Sequence, residues 1–159
     1  QLVLATSNKS ELSVGYSTIY GDSVGGFAPL KDVSKTDVWR LARWRNAAAE
    51  ARGERPPIPE ASITKAPSAE LRLDQTDQDS LPEYDVLDAL LEDYVVRAMG
   101  RSELLEAGHA RADVERVVGL VDRAEWKRRQ GAPGPKTTAV AFGRDRRLPI
   151  TTHWREEDE

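Results

Sequence analysis

The beginning of the chain holds one short apolar run followed at once by polar residues, and this feature constrains the fold most. Residues 2–5 read Leu-Val-Leu-Ala and predict a strand, and the next six read Thr-Ser-Asn-Lys-Ser-Glu. The rest of the 159-residue sequence predicts helices and loops. A single strand leaves its backbone amides and carbonyls without partners, so it requires a sheet. We therefore expect an α/β fold in which this chain is the mostly helical, C-terminal flank of a parallel sheet, incomplete by itself.

The polar residues after the strand predict a ligand site. In open α/β sheets, ligands bind at the carboxyl ends of strands, where loops and helix starts project polar groups into one crevice. Thr6 lies at the predicted strand end, and Glu11 lies about one turn into the next helix. Magnesium prefers one or two carboxylates together with phosphate oxygens. The pattern therefore indicates a site for a nucleotide phosphate and its magnesium ion.

Apolar spacing predicts helices over residues 9–20, 35–52, 84–99, 102–107 and 112–130. Ser34 is expected to cap the second of these helices, with Asp37 three residues further on as its partner. Gly53 is expected to end that helix. After a proline-rich connector, residues 63–67 predict a short extended piece.

Two further segments lack a helical pattern. Residues 68–82 are almost entirely polar and long for a loop, which predicts a mobile lid. The acidic residues of this segment resemble a calcium loop, but the required glycine and glutamate spacing is absent, so we interpret them as solvated: Asp74, Asp77 and Asp79. Residues 131–159 are rich in glycine, proline and arginine and predict an extended tail that ends in an acidic run.

The composition excludes several classes of protein. The chain has no cysteine, which excludes a disulfide scaffold, a cysteine-ligated zinc site and a cysteine nucleophile within these residues. Its histidines, His109 and His153, are far apart in sequence, and the net charge is −4. That charge argues against a nucleic-acid partner, which favours a basic face. No apolar run is long enough for a membrane span and no signal peptide is evident, so we expect a cytoplasmic protein with no membrane partner.

Three blocks of sequence, at residues 6–27, 65–88 and 125–149, together resemble the C-terminal synthetase domain of glutamine-dependent NAD synthetases. The first contains Thr-Ser-Asn-Lys-Ser-Glu and Tyr-Gly-Asp-Ser-Val-Gly-Gly-Phe, and the second contains Lys-Ala-Pro-Ser-Ala-Glu-Leu-Arg. The third contains Glu-Trp-Lys-Arg-Arg-Gln and Ala-Phe-Gly-Arg-Asp-Arg-Arg-Leu-Pro. The resemblance spans nearly the whole chain and is strongest to the large two-domain enzymes of the actinobacterial type. It implies that residues 1–159 are the C-terminal part of one adenine nucleotide alpha hydrolase-like domain, a Rossmann-like doubly wound fold.

The resemblance also implies an activity. Members of the family use ATP to adenylate the nicotinate carboxylate of deamido-NAD, and ammonia then displaces AMP to give NAD. In the long members an N-terminal amidase domain with a cysteine nucleophile supplies the ammonia from glutamine, and the synthetase domains form a homo-oligomer. The family's phosphate-binding loop, Ser-Gly-Gly-x-Asp-Ser, does not occur in this sequence. We therefore expect this chain alone to be inactive.

Site residues are implied position by position. Thr6, Lys35 and Ser68 are expected to contact ATP, and Lys35 and Ser68 to act in catalysis by stabilising charge on the leaving pyrophosphate. Glu11 is expected to bind Mg2+ where both substrates meet. The residues expected to line the deamido-NAD pocket or bind its pyridine end, besides Glu11, are Tyr16, Ser17, Thr18, Ile19, Asp22 and Lys127.

Other interpretations remain open. Taken singly, Glu11 fits a solvated carboxylate, Lys35 a surface lysine and Ser68 a helix cap. The chain could also be a non-catalytic module for dimerisation or binding, or part of another adenylating amidoligase of the same superfamily. Binding of deamido-NAD, rather than xanthylate or aspartate, would distinguish an NAD synthetase from such relatives.

Overall fold

The computed structural model describes residues 1–68 and 76–152 of the chain, and helices dominate these residues. In chain order the helices are α1 (Lys9–Val14), α2 (Lys35–Glu50), α3 (Glu60–Thr64), α4 (Tyr84–Leu91), α5 (Arg101–Glu106), α6 (Arg111–Arg123) and α7 (Glu125–Arg128). A 3-10 turn, Asp77–Asp79, precedes α4, and a π-helical turn, Glu92–Val96, extends it. Within the described residues, no helix is both long and apolar enough to cross a membrane.

The predicted strand at residues 2–5 forms a short parallel pairing with the glycine-rich loop. Leu4 lies opposite Phe27, and the Ala5 amide donates to the Phe27 carbonyl at 2.9 Å. A Cβ at Gly25 would lie 2.5 Å from the Ala5 nitrogen, so only glycine permits this approach. Residues 2–5 thus form an isolated bridge rather than the predicted strand, and its partner was not predicted, because glycine is a poor strand former.

The core lies between α4 with its π-helical extension and α6. The fully buried side chains of this core include Tyr84, Leu87, Leu90, Leu104, Val114, Val117, Val118 and Val121. On α6 these residues recur at helical spacing, as expected for one apolar face. The core therefore fixes the helices on which α1 rests.

Two predicted apolar faces are wrong in detail. On α2, the spacing of Val38, Leu41 and Ala42 predicts that Leu41 is buried, but that residue is 50% exposed, and Ala49 is the buried residue of the helix. On α4, the apolar pattern predicts that Val86 is buried with Leu87 and Leu90, but Val86 is 41% exposed. Both residues lie beside the buried face of their helix. The spacing of apolar residues shows which side of a helix is buried but not how wide the buried face is.

The positions of several helices depart from the predictions. The first helix ends at Val14 rather than near residue 20, because Gly15 adopts a left-handed conformation with φ of 69° and its amide bonds back to α1. The last predicted helix is divided at Ala124 into α6 and α7. Ile63 was predicted to be extended but is a buried residue of α3, so that prediction is wrong.

The predicted lid and tail are described only in part. Residues 69–75 lie outside the described residues, and the 3-10 turn and the buried Leu81 belong to the part of the lid that is described. In the tail, residues 131–152 are described, and residues 153–159, with His153 and the acidic run, are not. The division of the chain into a domain, a lid and a tail stays a prediction.

Candidate functional site

A cavity of about 520 Å³ opens between the start of α1, the start of α2, α7 and the loop after α1. It is lined by Thr6, Ser7, Asn8, Glu11, Gly15, Tyr16, Ser17, Thr18, Asp22, Leu30, Lys35, Val38, Ser68, Asp77 and Lys127. Every candidate site residue named from the sequence is in this lining except Ile19, which lies next to it on the loop. The structure thus brings together residues up to 121 positions apart in sequence, from Thr6 to Lys127.

Glu11 is oriented by the cap of α1. The Glu11 amide donates to the Asn8 side chain at 2.9 Å, and the Asn8 amide donates back to Glu11 Oε2 at 3.2 Å. This reciprocal capping box is a frequent way to begin a helix, and it fixes the Glu11 carboxylate in the first turn of α1. The other oxygen, Oε1, forms a salt bridge of 3.2 Å with Lys35.

The first backbone amides of α2 are hydrogen-bonded to side chains of this chain. The Lys35 amide donates to Ser10 Oγ at 2.9 Å, and the Thr36 amide and hydroxyl donate to Asp88 Oδ2 at 2.9 and 2.8 Å. Ser34, the predicted cap, accepts from the Asp37 amide at 3.2 Å, which confirms that prediction. Because these first amides already have partners, α2 offers the cavity the Lys35 side chain rather than its N-terminus.

Lys127 projects from α7 towards the end of α1. Its ammonium donates to the Gly15 carbonyl at 2.7 Å and to the Ser17 carbonyl at 3.0 Å. A lysine ammonium has three donors, so these bonds fix its position and leave one donor for a further acceptor. Lys127 therefore places a fixed positive charge in the lining of the cavity, in addition to that of Lys35.

Helix α7 is fastened by Arg128, which is buried beside Lys127. The Arg128 guanidinium donates to the Ser13 carbonyl at 2.6 Å and to the Val121 carbonyl at 2.8 Å. It also pairs with the buried Glu125 at 3.0 Å. Burial lowers the pKa of Arg128, and Glu125 acts in the opposite direction. In the sequence, Arg128 belongs to a basic run at a predicted helix end, which indicates a solvated side chain; it is only 6% exposed, so that interpretation is wrong.

The loop after α1 closes on itself through Asp22. The Thr18 amide donates to Asp22 Oδ2 at 3.1 Å, and the Asp22 amide donates to Thr18 Oγ1 at 3.3 Å. Ser7 donates to the Asp22 carbonyl at 3.4 Å, and the Ser23 hydroxyl donates to Ser17 at 3.1 Å. These bonds hold the loop in one conformation, in which Tyr16, Ser17 and Thr18 line the cavity.

Asp77 is the main residue of the cavity that sequence reasoning misjudged. It was interpreted as part of a solvated loop, but it is only 4% exposed and accepts a hydrogen bond of 2.6 Å from the Tyr84 hydroxyl. Tyr84, seven residues further on, was the available signal for this burial. A buried tyrosine hydroxyl requires a hydrogen-bond partner, and Asp77 is near enough in sequence to provide it. Burial raises the pKa of the Tyr84 phenol, and the Asp77 hydrogen bond raises it further.

Lys9 belongs to the polar run after the strand but turns away from the cavity. Its ammonium pairs with Asp32 at 3.0 Å and donates to the Val140 carbonyl at 2.7 Å. Burial alone would raise the pKa of Asp32, but hydrogen bonds from the Thr138 and Thr137 amides and from Lys9 hold it below the usual value. This cluster joins the start of α1 to the segment near Val140.

The side chains of the cavity can bind a metal ion only if a bound ligand supplies further oxygen atoms to it. Among the described residues, no group of three or more His, Cys, Asp or Glu side chains could hold a metal ion. Glu11 supplies a carboxylate at the cavity, and Mg2+ commonly binds one or two carboxylates with phosphate oxygens completing its shell. The site therefore suits an ion that arrives with a phosphate group.

The fold and the cavity define the class of protein. Two lysine ammonium groups, carboxylates and hydroxyls surround one cavity at the starts of α1 and α2. The chain belongs to the NAD synthase family, whose model matches residues 1–131. The sequence resemblance to this family is confirmed.

Relatives agree with this assignment. The chain is 56% identical over 157 residues to a glutamine-dependent NAD(+) synthetase of Acinetobacter baylyi, covering 99% of this chain and 28% of that protein. It is 58% identical over 150 residues to the corresponding Xanthomonas campestris protein, covering 94% and 26%. The solved structure of a Cytophaga hutchinsonii glutamine-dependent NAD(+) synthetase has the same fold, with a TM-score of 0.71, 24% identity and coverage of 96% and 24%. The chain thus spans about a quarter of the length of these relatives.

Proposed function

We propose that this chain forms the substrate-binding part of an enzyme that amidates deamido-NAD to NAD with ATP, through an adenylated intermediate. One observation carries the proposal: the candidate ATP, magnesium and deamido-NAD residues, all but Ile19, line a single cavity. Membership of the NAD synthase family supports it. The relatives of known name are glutamine-dependent NAD(+) synthetases, which are carbon-nitrogen ligases.

At one end of the cavity, Thr6, Lys35 and Ser68 contact the phosphate groups of ATP. Transfer of the adenylyl group to the nicotinate carboxylate breaks the bond between the α- and β-phosphates and leaves negative charge on pyrophosphate. The Lys35 ammonium and the Ser68 and Thr6 hydroxyls stabilise that charge from fixed positions. None of these residues has to accept a proton, because the attacking group is already a carboxylate.

Glu11 holds Mg2+ in this proposal. When bound, the ion neutralises phosphate oxygens and polarises the phosphorus centre. The capping box that fixes Glu11 keeps its carboxylate available at the cavity without a change of backbone. Its present partner, the Lys35 ammonium, already shows that this carboxylate lies within reach of a cation.

At the other end, Lys127 and Asp22 bind the pyridine ring, and Tyr16, Ser17, Thr18 and Ile19 form the adjoining wall. The Lys127 ammonium pairs with the nicotinate carboxylate, which has a full negative charge in deamido-NAD. The carboxamide of NAD has none, so the same lysine favours the substrate over the product. The two carbonyl partners of Lys127 keep it in place before the substrate binds.

The remaining parts of the reaction come from outside this sequence. Ammonia is supplied by a glutaminase domain, and the Ser-Gly-Gly-x-Asp-Ser phosphate loop is not among these 159 residues. The chain alone is therefore inactive in this proposal, and the working enzyme is a cytoplasmic homo-oligomer.

Calorimetric titration of the chain with deamido-NAD, xanthylate and aspartate tests the substrate class. We expect heat of binding for deamido-NAD and none for the other two. Lys127→Met should weaken deamido-NAD binding roughly 10-fold or more, as expected for loss of a charge-assisted hydrogen bond. The matched control is Lys136→Met, because Lys136 pairs with Asp145 away from this cavity. Binding of xanthylate or aspartate instead of deamido-NAD would refute the proposal.

A further inference from the structure

The Lys35 ammonium has aromatic neighbours in addition to Glu11. It lies 5.5 Å from the centre of the Tyr84 ring and 5.9 Å from that of Trp39. The two rings meet edge to face, with centres 5.8 Å apart and planes at 84°. A cation within about 6 Å of an aromatic ring is attracted by the negative charge of the ring face. Trp39 and Tyr84 thus form an aromatic corner around the cation.

The Tyr84 side of this corner is held rigidly. Its ring is 1% exposed, and its hydroxyl donates to Asp77 Oδ2. Asp77 is itself tied to the chain before the predicted lid, because its amide donates to the Pro67 carbonyl at 3.0 Å. Trp39 stands one turn after Lys35 on α2 and packs against the same core. The position of the rings is therefore set by the fold rather than by a ligand.

We propose that Trp39 and Tyr84 are positioning residues that hold the Lys35 ammonium beside the cavity independently of its salt bridge with Glu11. A carboxylate partner neutralises the lysine charge and is itself a candidate ligand of a cation. Aromatic rings carry no net charge, so they fix the ammonium and leave its positive charge available to an anion. When Glu11 is occupied by another cation, the two rings keep Lys35 in place.

The consequence for catalysis rests on the proposed function, in which Lys35 contacts the phosphates of ATP. The positioning itself does not depend on that function, because it is a property of the chain without ligand. It is measured by the chemical shifts of the Lys35 Hε protons, which the ring currents of Trp39 and Tyr84 displace. The signals are assigned by their loss in Lys35→Arg.

The first test compares two tryptophans of the same helix. Because Trp39→Leu also removes the ring current of Trp39, the position of Lys35 is read from nuclear Overhauser contacts between Lys35 Hε and the Tyr84 ring. These contacts should weaken in Trp39→Leu and largely persist in Trp39→Phe. Trp44→Leu is the matched control, because Trp44 lies on α2 but is 65% exposed. Equal Overhauser contacts between Lys35 Hε and the Tyr84 ring in wild type and Trp39→Leu would overturn the proposal.

The second test removes the competing explanation that Glu11 alone holds the lysine. In Glu11→Gln the Lys35 Hε signals should stay displaced, since both rings remain. A return of these signals to solvated values would show that the salt bridge places the lysine and would overturn the proposal.

A third test separates the ring of Tyr84 from its hydroxyl. Tyr84→Phe should keep the Lys35 displacement, because the ring remains, while losing the bond to Asp77. Tyr94→Phe is the control, since the Tyr94 hydroxyl donates to Asp122 at the same distance of 2.6 Å and lies outside the cavity. Both variants should lose similar stability. Loss of the Lys35 displacement in Tyr84→Phe, whether or not Tyr94→Phe loses it too, would show that the Tyr84 ring does not by itself hold the lysine and would overturn the proposal.

Titration with ATP then connects the aromatic corner to the proposed function. Trp39→Leu should weaken ATP binding by roughly two- to fivefold, the range of an exposed cation–π contact, and Trp44→Leu should not. If ATP binds none of the proteins, wild type included, the proposed function fails while the Lys35 signals still decide the positioning. If ATP binds both variants with wild-type affinity, the link between the aromatic corner and the nucleotide is refuted.

Discussion

Replacement of Gly15 by alanine is expected to cost far more stability than the same replacement at another left-handed glycine. Gly15 has φ of 69°, and a Cβ there would lie 2.9 Å from the Ala124 Cβ and 3.4 Å from Lys127 Cδ. The left-handed conformation alone costs alanine about 1 kcal/mol. Overpacking against α7 adds about 1–3 kcal/mol, so we expect Gly15→Ala to lower the free energy of unfolding by about 2–4 kcal/mol.

Gly53 provides the matched control. Its φ is 72°, and no heavy atom of the described residues beyond its neighbours would lie within 4 Å of an added Cβ. Gly53→Ala should therefore cost about 1 kcal/mol, from the backbone alone. Both substitutions restrict the unfolded chain equally, so that effect cancels in the comparison.

Urea unfolding of the two variants, monitored by tryptophan fluorescence, measures the difference. We expect Gly15→Ala to be less stable than Gly53→Ala by about 1–3 kcal/mol. Because the clash pushes α7 away from α1, deamido-NAD binding should weaken in Gly15→Ala and stay unchanged in Gly53→Ala. Unfolding free energies that agree within about 0.5 kcal/mol would refute the close packing of Gly15 on α7.

Three further outcomes follow from buried charges and hydroxyls. Asp32 has a lowered pKa in the folded chain, so the stability it contributes is present above its unfolded pKa and is lost as pH falls through the folded pKa. In acid unfolding, the free energy of unfolding of Asp32→Asn should therefore fall less steeply than that of the wild type below about pH 4. Arg128→Met should cost about 3–5 kcal/mol in urea unfolding, because it leaves the buried Glu125 without its cation, whereas the surface change Arg52→Met should cost less than about 0.5 kcal/mol. Tyr94→Phe should cost about 1–2 kcal/mol and abolish a phenol titration near pH 12, where burial and Asp122 place the pKa of Tyr94.

The sequence predicted the local features of the fold better than its contacts. The cap at Ser34 and the start of α2 at Lys35 were predicted, because capping depends on residues within one turn. The burial of Arg128 was not predicted, because its acceptors on Ser13 and Val121 come from other helices. Ile63 was misassigned because β-branched residues favour strands, while its burial in α3 overrides that preference.

The candidate site divides in the same way. Thr6, Glu11 and Lys35 were predicted from a strand-to-helix pattern and a family resemblance, and the structure brings all three to one cavity. Asp77 was missed because its role depends on the Tyr84 hydroxyl and on burial, neither of which composition reveals. The roles of the individual site residues stay predictions until a ligand is bound.

The most direct test of the account is an NMR map of deamido-NAD on the isotopically labelled chain. Nuclear Overhauser contacts from the pyridine protons to Lys127 Hε and to Tyr16 would show that the nicotinate carboxylate binds beside the Lys127 ammonium. We predict those contacts, with NAD giving weaker ones at the same ligand concentration. Pyridine contacts to Lys136 and Arg144 instead, in the separate basic pocket of the tail, would contradict the account.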